Sequence, residues 1–177
     1  MAKDEVILLD FWPSMFGMRL RIALAEKEVK YEYREEDVWN KSPLLLQMNP
    51  IHKKVPIQAC GSGLIIHKKD KPPLLPSDPY DRAQLGLWAD YIDKKLFDFG
   101  RKTWTIMGEE QEAAKKDSIV CLKVLEGALG EKPFFGGDGF GFVDIALLGS
   151  TAGFMPETYG NFSAEAECPV LSVSTHR

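Results

Sequence analysis

The sequence predicts an α/β domain over residues 1–77, followed by an all-helical domain over residues 78–177. Three observations lead to this prediction. Strand-like and helix-like patterns alternate in the first third of the chain. Amphipathic helical patterns follow one another in the second half. Between these two parts, residues 58–78 are rich in glycine, lysine and proline, a composition typical of turns and linkers. We therefore place the domain boundary near residue 77.

The first domain is predicted to have the order β-α-β-α-β. An aliphatic run over residues 5–12 indicates a buried strand, and Ser14 then occupies a favourable helix N-cap position. Alternating polar and aromatic residues over 30–34 are typical of an edge strand. Residues 42–48 open with a Ser-Pro pair, which favours a short helix. The last strand-like stretch, residues 55–57, contains a proline, so we expect an edge position or a special turn, with a cis bond.

The second domain is predicted to be helical throughout. Apolar residues recur every three or four positions over residues 79–99, which predicts a long amphipathic helix. A second helix is predicted over 109–129, with Gly130 at its C-cap. A third begins at residue 142. Asp144 is spaced to accept a hydrogen bond from the Gly141 N–H in the manner of a capping box, so we interpret it as structural.

Composition excludes several classes of protein. The chain is 45% hydrophobic and 27% charged with a net charge of −4, and it has no arginine-rich stretch, so we exclude nucleic-acid binding. No apolar run is long enough to span a membrane. The first five residues carry acids where a signal peptide carries basic residues, which predicts a cytoplasmic protein. Three widely spaced cysteines indicate reduced thiols and no metal site.

Several motifs together resemble the soluble glutathione transferases, most closely the plant tau class. The motifs in the first domain are LDFWPSMFGMR (9–19), ED and NKS (36–37 and 40–42), LQMNP (46–50) and HKKVP (52–56). Those in the second domain are WADYIDKK (88–95), KPFFGG (132–137) and GFVDIAL (141–147). The resemblance implies a thioredoxin-like first domain with a reduced βαβαβ order, followed by an all-α domain. It also implies a homodimer.

The resemblance implies that the protein conjugates glutathione to small hydrophobic electrophiles, a detoxification reaction, with Ser14 as the catalytic residue. A thiol with a pKa near 8.5 is only a few per cent thiolate at neutral pH. A hydroxyl donor at a helix N-terminus stabilises the thiolate through a hydrogen bond and the helix dipole. Judged from the residue alone, Ser14 is better explained as a plain N-cap, and only the resemblance to the family favours the catalytic role.

The resemblance also implies a set of glutathione-binding residues. Lys41 and Lys54 match positions that hold the glycyl carboxylate, although in isolation they read as solvated surface lysines. Val55 matches the position whose main chain pairs with the cysteinyl part of the tripeptide. Phe16 and Ser62 complete the predicted site. Glutathione is expected to be a co-substrate, with no cofactor and no metal.

The chain departs from the family pattern after Pro56. About twenty residues separate Pro56 from Leu74, which is too few for the family's further strand and helix, and the chain also ends before the family's last helices. Gly61 stands in place of the glutamate that binds the γ-glutamyl end. A missing charge-assisted hydrogen bond costs about 1.5–3 kcal/mol, so we expect weakened glutathione binding. The alternative function is a noncatalytic protein that binds hydrophobic ligands or a partner protein.

Overall fold

The structure is a computed structural model that describes residues 6–59, 72–154 and 163–171. The chain divides into two compact units, Met1–Pro73 and Leu74–Arg177. Each unit has its own hydrophobic core.

The first unit has the predicted β-α-β-α-β order. Its elements are β1 (Val6–Asp10), α1 (Met15–Glu26), β2 (Tyr31–Glu35), α2 (Pro43–Met48) and β3 (Ile57–Ala59). Within the described residues these strands form a three-stranded sheet with the order β2-β1-β3. The central strand β1 is parallel to β2 and antiparallel to β3. The alternating pattern around residue 32 therefore lies on an edge strand, as predicted.

The central strand is buried along its whole length because the two helices of this unit cover its opposite faces. Successive side chains of a strand point to opposite sides of the sheet. Leu8 lies in one apolar cluster with Leu24 of α1, and Leu9 lies in a second with Leu45 of α2. A strand buried on both faces needs a continuous apolar run, which is the pattern that the sequence shows.

Helix α1 ends at a buried lysine. The backbone N–H of Lys27 donates to the Ala23 carbonyl as the C-cap of the helix. Its side chain is fully buried, and the ammonium donates a hydrogen bond to the carbonyl of Pro72. A buried charge requires such a partner. This bond joins the end of α1 to a residue far along the chain.

The second unit is helical in all its described elements. They are α3 (Pro79–Tyr91), a π-helical turn (Ile92–Leu96), α4 (Phe97–Thr105), α5 (Glu109–Leu129), α6 (Phe142–Phe154) and α7 (Ala164–Glu167). Helices α3, α5 and α6 contribute to one continuous core that includes Leu85, Leu125 and Val143. The bounds predicted for α5 are confirmed, and Gly130 adopts the positive φ of 61° that favours glycine at a C-cap.

Asp144 acts as the predicted cap at the start of α6. Its Oδ2 accepts the N–H of Gly141 at 2.9 Å, and its Oδ1 accepts the N–H of Phe135 at 3.1 Å. Burial raises the pKa of this carboxyl above its usual value, while the N–H donors lower it in part. The structural interpretation of Asp144 is therefore confirmed.

Several predicted element bounds were wrong. Strand β2 covers Tyr31–Glu35 and not 30–34. Strand β1 ends at Asp10, not at residue 12, because the N–H groups of the next two residues bond to side-chain carboxylates instead of to a neighbouring strand. Strand β3 reaches Ala59, inside the predicted linker. The helix predicted to end at residue 99 continues through a π-helical turn to Thr105. The predicted loss of a strand and a helix concerns mainly residues 60–71, which lie outside the described part of the chain.

No helix within the described ranges has the length and apolar character that crossing a membrane requires. In the same ranges, no group of three or more His, Cys, Asp or Glu residues is arranged to hold a metal ion.

Candidate functional site

The predicted site residues of the first unit lie on or beside loops at one end of its sheet. The parallel strands β1 and β2 end together, with Asp10 paired to Glu35. Strand β3 runs the opposite way and begins at this same end, where Ile57 pairs with Leu9. Ser14 lies on the loop after β1, and Phe16 lies in the first turn of the helix that follows. Lys41 lies on the loop after β2, and Lys54 and Val55 lie on the loop before β3. Ligand sites of α/β folds lie at the carboxyl ends of such strands.

Ser14 is the N-cap of α1. Its extended backbone, with φ −69° and ψ 118°, lets the side-chain Oγ accept the N–H of Gly17 at 3.1 Å. Its own N–H donates to the carbonyl of Phe11 at 2.7 Å. The side chain is half-buried, and within the described residues its O–H donates to no acceptor.

Side chains hold the segment that leads to Ser14. Asp10 Oδ1 accepts the N–H of Phe11 at 2.8 Å, and Glu35 Oε1 accepts the N–H of Trp12 at 2.9 Å. Arg21 Nη2 donates to the carbonyl of Trp12 at 2.8 Å. These side chains bond to backbone groups of Phe11 and Trp12, which have left the sheet and no longer pair with a strand. They therefore fix the path of the backbone toward Ser14.

The carboxylate of Asp10 is fully buried. Burial raises its pKa above the usual value, while the Phe11 N–H and the nearby Arg21 guanidinium lower it in part and Glu35 raises it further. Arg21 Nε lies 3.5 Å from Asp10 Oδ2. The carboxylate also fills the space beside Gly17, where an added Cβ would lie 1.9 Å from Oδ1. Only glycine fits at that position.

A second buried carboxylate holds the loop that carries Lys41. Glu36 accepts the hydroxyl of Ser42 at 2.5 Å and the N–H of Ser42 at 3.2 Å. Ser42 in turn caps α2, because its Oγ accepts the N–H of Leu45 at 3.1 Å. Lys41 itself is exposed. Lys41 therefore immediately precedes Ser42, which is fixed by two hydrogen bonds to the buried Glu36 carboxylate.

Lys54 and Val55 follow a turn organised by Asn49. The side chain of Asn49 accepts the N–H of His52 at 3.1 Å and donates to the Lys54 carbonyl at 3.2 Å. Lys54 is exposed, whereas Val55 packs against the core on the α2 face of the sheet. The peptide bond between Val55 and Pro56 is cis, as predicted.

Phe16 lies in the first turn of α1 and is 42% exposed. The Arg19 guanidinium carbon lies 5.2 Å from the centroid of its ring. Ser62, the remaining predicted site residue, lies outside the described residues. The first unit therefore brings five of the predicted residues to one end of its sheet.

The sequence analysis assigned no role to Asp10, Arg21 or Glu36, which hold the two loops. The sequence did contain a pattern that could have predicted the role of Asp10, because this residue is the last of an otherwise apolar strand. A charged residue in that position is buried and needs a bonded partner.

Comparisons with known proteins identify the family. Residues 4–66 match the model of the glutathione S-transferase N-terminal domain. A probable glutathione S-transferase of Nicotiana tabacum, parC, is 69% identical over 96% of this chain and 82% of its own length. The chain belongs to the glutathione S-transferases. Glutathione S-transferase U19 of Arabidopsis thaliana is 59% identical over 95% of this chain and 82% of its own length.

Solved structures of the family share the fold and place the chain in the plant tau class. Rice GST1 (OsGSTU1), solved in complex with glutathione, has a TM-score of 0.88 and 43% identity over 99% of this chain and 86% of its own. The tau-class enzyme MiGSTU from mango has a TM-score of 0.86 and 37% identity over 99% of this chain and 89% of its own. The fold is thus a thioredoxin-like domain followed by a helical domain.

Proposed function

We propose that this chain is a glutathione transferase that conjugates glutathione to small hydrophobic electrophiles and so serves detoxification. The observation that carries this proposal is Ser14: a half-buried hydroxyl at the N-terminus of α1, with its hydrogen unused within the described residues, at the end of the sheet where the other candidate residues lie. Membership of the glutathione S-transferases supports glutathione as the thiol substrate.

In the proposed reaction, Ser14 donates its O–H to the sulfur of bound glutathione. Because the dipole of α1 adds positive potential at this N-terminus, both effects favour the thiolate. The thiol proton passes to solvent. The thiolate then forms a carbon–sulfur bond to the electrophile, and the leaving group departs as an anion. Ser14 stabilises the charge on sulfur and forms no covalent bond.

The tripeptide is proposed to bind along the loops at this end of the sheet. The exposed ammonium groups of Lys41 and Lys54 pair with the glycyl carboxylate. The main chain of Val55, next to the start of β3, pairs with the cysteinyl residue in the manner of an added strand. Phe16 borders the sulfur, and Ser62 contacts the γ-glutamyl end.

We also propose that the protein acts in the cytoplasm as a homodimer. Cys121 and Cys168 are buried free thiols, which supports a reducing compartment. Tyr80 and Leu87, two turns apart on α3, are largely exposed, and a second copy of the chain would cover such apolar side chains.

The proposal is tested by measuring conjugation of a chloronitrobenzene by the purified protein and by its Ser14→Ala variant. Removing one positioned donor to a developing anion lowers kcat by about a hundredfold. Ser14→Thr keeps both the hydroxyl and the N-cap, so it is the matched control and should retain most of the rate. Loss of the cap alone changes stability by about 0.5–2 kcal/mol, which denaturation measures separately.

Two results would refute the proposed function. The first is a wild-type protein that neither conjugates the substrate nor binds glutathione in isothermal titration. The second is an unchanged kcat in Ser14→Ala, which would leave Ser14 only its role as a helix cap.

A further inference from the structure

Arg21 makes two contacts with one residue of the segment that leads to Ser14. Its Nη2 donates to the Trp12 carbonyl at 2.8 Å. Its guanidinium carbon also lies 4.8 Å from the centroid of the Trp12 ring, within the range of a cation–π interaction. Trp12 is two residues before Ser14, so contacts that fix Trp12 restrict the path of the chain into the N-cap of α1.

The Nε of the same guanidinium faces a fully buried acid. Arg21 Nε lies 3.5 Å from Asp10 Oδ2, and the Arg21 side chain is only 13% exposed. Asp10 in turn accepts the N–H of Phe11. The pair therefore fixes the backbone on both sides of the peptide bond that joins Phe11 to Trp12. A buried charged pair of this kind holds its geometry because moving either member leaves the other uncompensated.

The planar shape of the guanidinium is needed for this arrangement. Arginine presents several N–H donors in a rigid fork, whereas lysine presents one compact ammonium. A lysine at position 21 could neutralise Asp10, or it could donate to the Trp12 carbonyl. It could not make both of these contacts and also keep a cation over the indole ring, as the Arg21 guanidinium does.

We infer that Arg21 is a positioning residue for Ser14: held against Asp10, it fixes Trp12 and so sets the place at which Ser14 presents its hydroxyl. This inference rests on the proposed function, because its effect is on the step that Ser14 assists. Arg21 has no direct contact with the sulfur. Its removal moves the hydroxyl and leaves the glutathione-binding lysines in place.

The main test is the Arg21→Lys variant, which keeps a cation beside Asp10 and therefore folds even if Arg21→Met does not. Small displacements of a reacting group lower rates by about tenfold to a hundredfold. We expect kcat with the chloronitrobenzene to fall by about tenfold or more, while KM for glutathione changes by less than about twofold. Arg34→Met is the matched control, because Arg34 is an exposed arginine paired with Glu32 on β2.

A double-mutant cycle with Ser14→Ala separates positioning from a general structural effect. If Arg21 acts through Ser14, Arg21→Lys lowers kcat by less than about twofold once the hydroxyl is absent. An equal loss in both backgrounds, or a normal kcat in Arg21→Lys, would overturn the inference. Neither result would affect the proposed function, which fails only if Ser14→Ala itself leaves the wild-type rate unchanged or the wild type is inactive.

Discussion

The two units of the chain bury most of their polar groups in different ways, although Asp144 of the second unit accepts backbone N–H groups as the buried carboxylates of the first unit do. In the first unit, the buried charges of Asp10 and Glu36 bond to the backbone at the starts of loops, and Lys27 bonds to a carbonyl 45 residues away. In the second unit, the buried hydroxyls of Thr103 and Ser118 donate to carbonyls three or four residues earlier in their own helices. Polar pairs position the loops of the first unit, whereas apolar packing determines the second.

The sizes of the apolar cores explain this difference. The first unit has two small clusters, one on each face of β1, whereas the second has one large cluster shared by several helices. The small clusters fix the helices against the sheet, and the described loops at the site end contribute only Val55 to them. A buried hydrogen bond fixes such a loop because a buried donor or acceptor left unpaired costs about 1–3 kcal/mol.

The largest effect on stability is expected from the core of the second unit. Leu125 is fully buried in the large cluster, and truncating such a leucine to alanine costs about 2–5 kcal/mol. Denaturant unfolding of Leu125→Ala measures this loss. Val124→Ala is the control, because Val124 is an exposed neighbour on the same helix and surface changes stay within about 0.5 kcal/mol. Equal losses of unfolding free energy in the two variants would contradict the prediction that apolar packing around Leu125 stabilises the second unit.

Two glycine substitutions have opposite expected effects in the two units. Gly17→Ala places a Cβ 1.9 Å from the Asp10 carboxylate, and such overpacking costs about 1–3 kcal/mol. Gly86→Ala meets nothing within 4 Å in the middle of α3, so it should stabilise the protein by about 0.5–1 kcal/mol. Thermal unfolding of both variants measures the difference. A neutral Gly17→Ala would show that Asp10 moves freely, contrary to its bonding.

An effect mainly on binding is expected from Glu36→Gln. Glutamine keeps the shape but replaces one acceptor oxygen with an NH2 donor that faces a donor of Ser42, and the lost hydrogen bond costs about 1–3 kcal/mol locally. The loop that carries Lys41 then loosens, so KM for glutathione should rise while kcat stays unchanged. Glu32→Gln is the control, since Glu32 is exposed on β2. If Glu36→Gln lowers the free energy of unfolding but leaves KM for glutathione normal, Glu36 has no role in glutathione binding.

Local patterns predicted much of the fold because their causes lie within a few residues. Local patterns of this sort predicted four features: the N-caps at Ser14 and Ser42, the bounds of α5, and the hydrogen bond from the Gly141 N–H to Asp144. Each depends on a spacing of three or four residues, which a sequence displays directly.

The bonds that hold the candidate site could not be predicted in the same way. The N–H of Trp12 bonds to Glu35, twenty-three residues away, and this pairing exists only because β1 and β2 are parallel neighbours. It also explains the early end of β1. Likewise, nothing in the sequence near Lys27 indicates that its ammonium reaches Pro72. Such contacts depend on tertiary structure.

The close approach of Gly17 to Asp10 links two positions in any attempt to redesign this protein. A larger residue at 17 requires a smaller one at 10, and a smaller residue at 10 removes the countercharge of Arg21. The three positions are therefore coupled, and a redesign of any one of them has to take the other two into account.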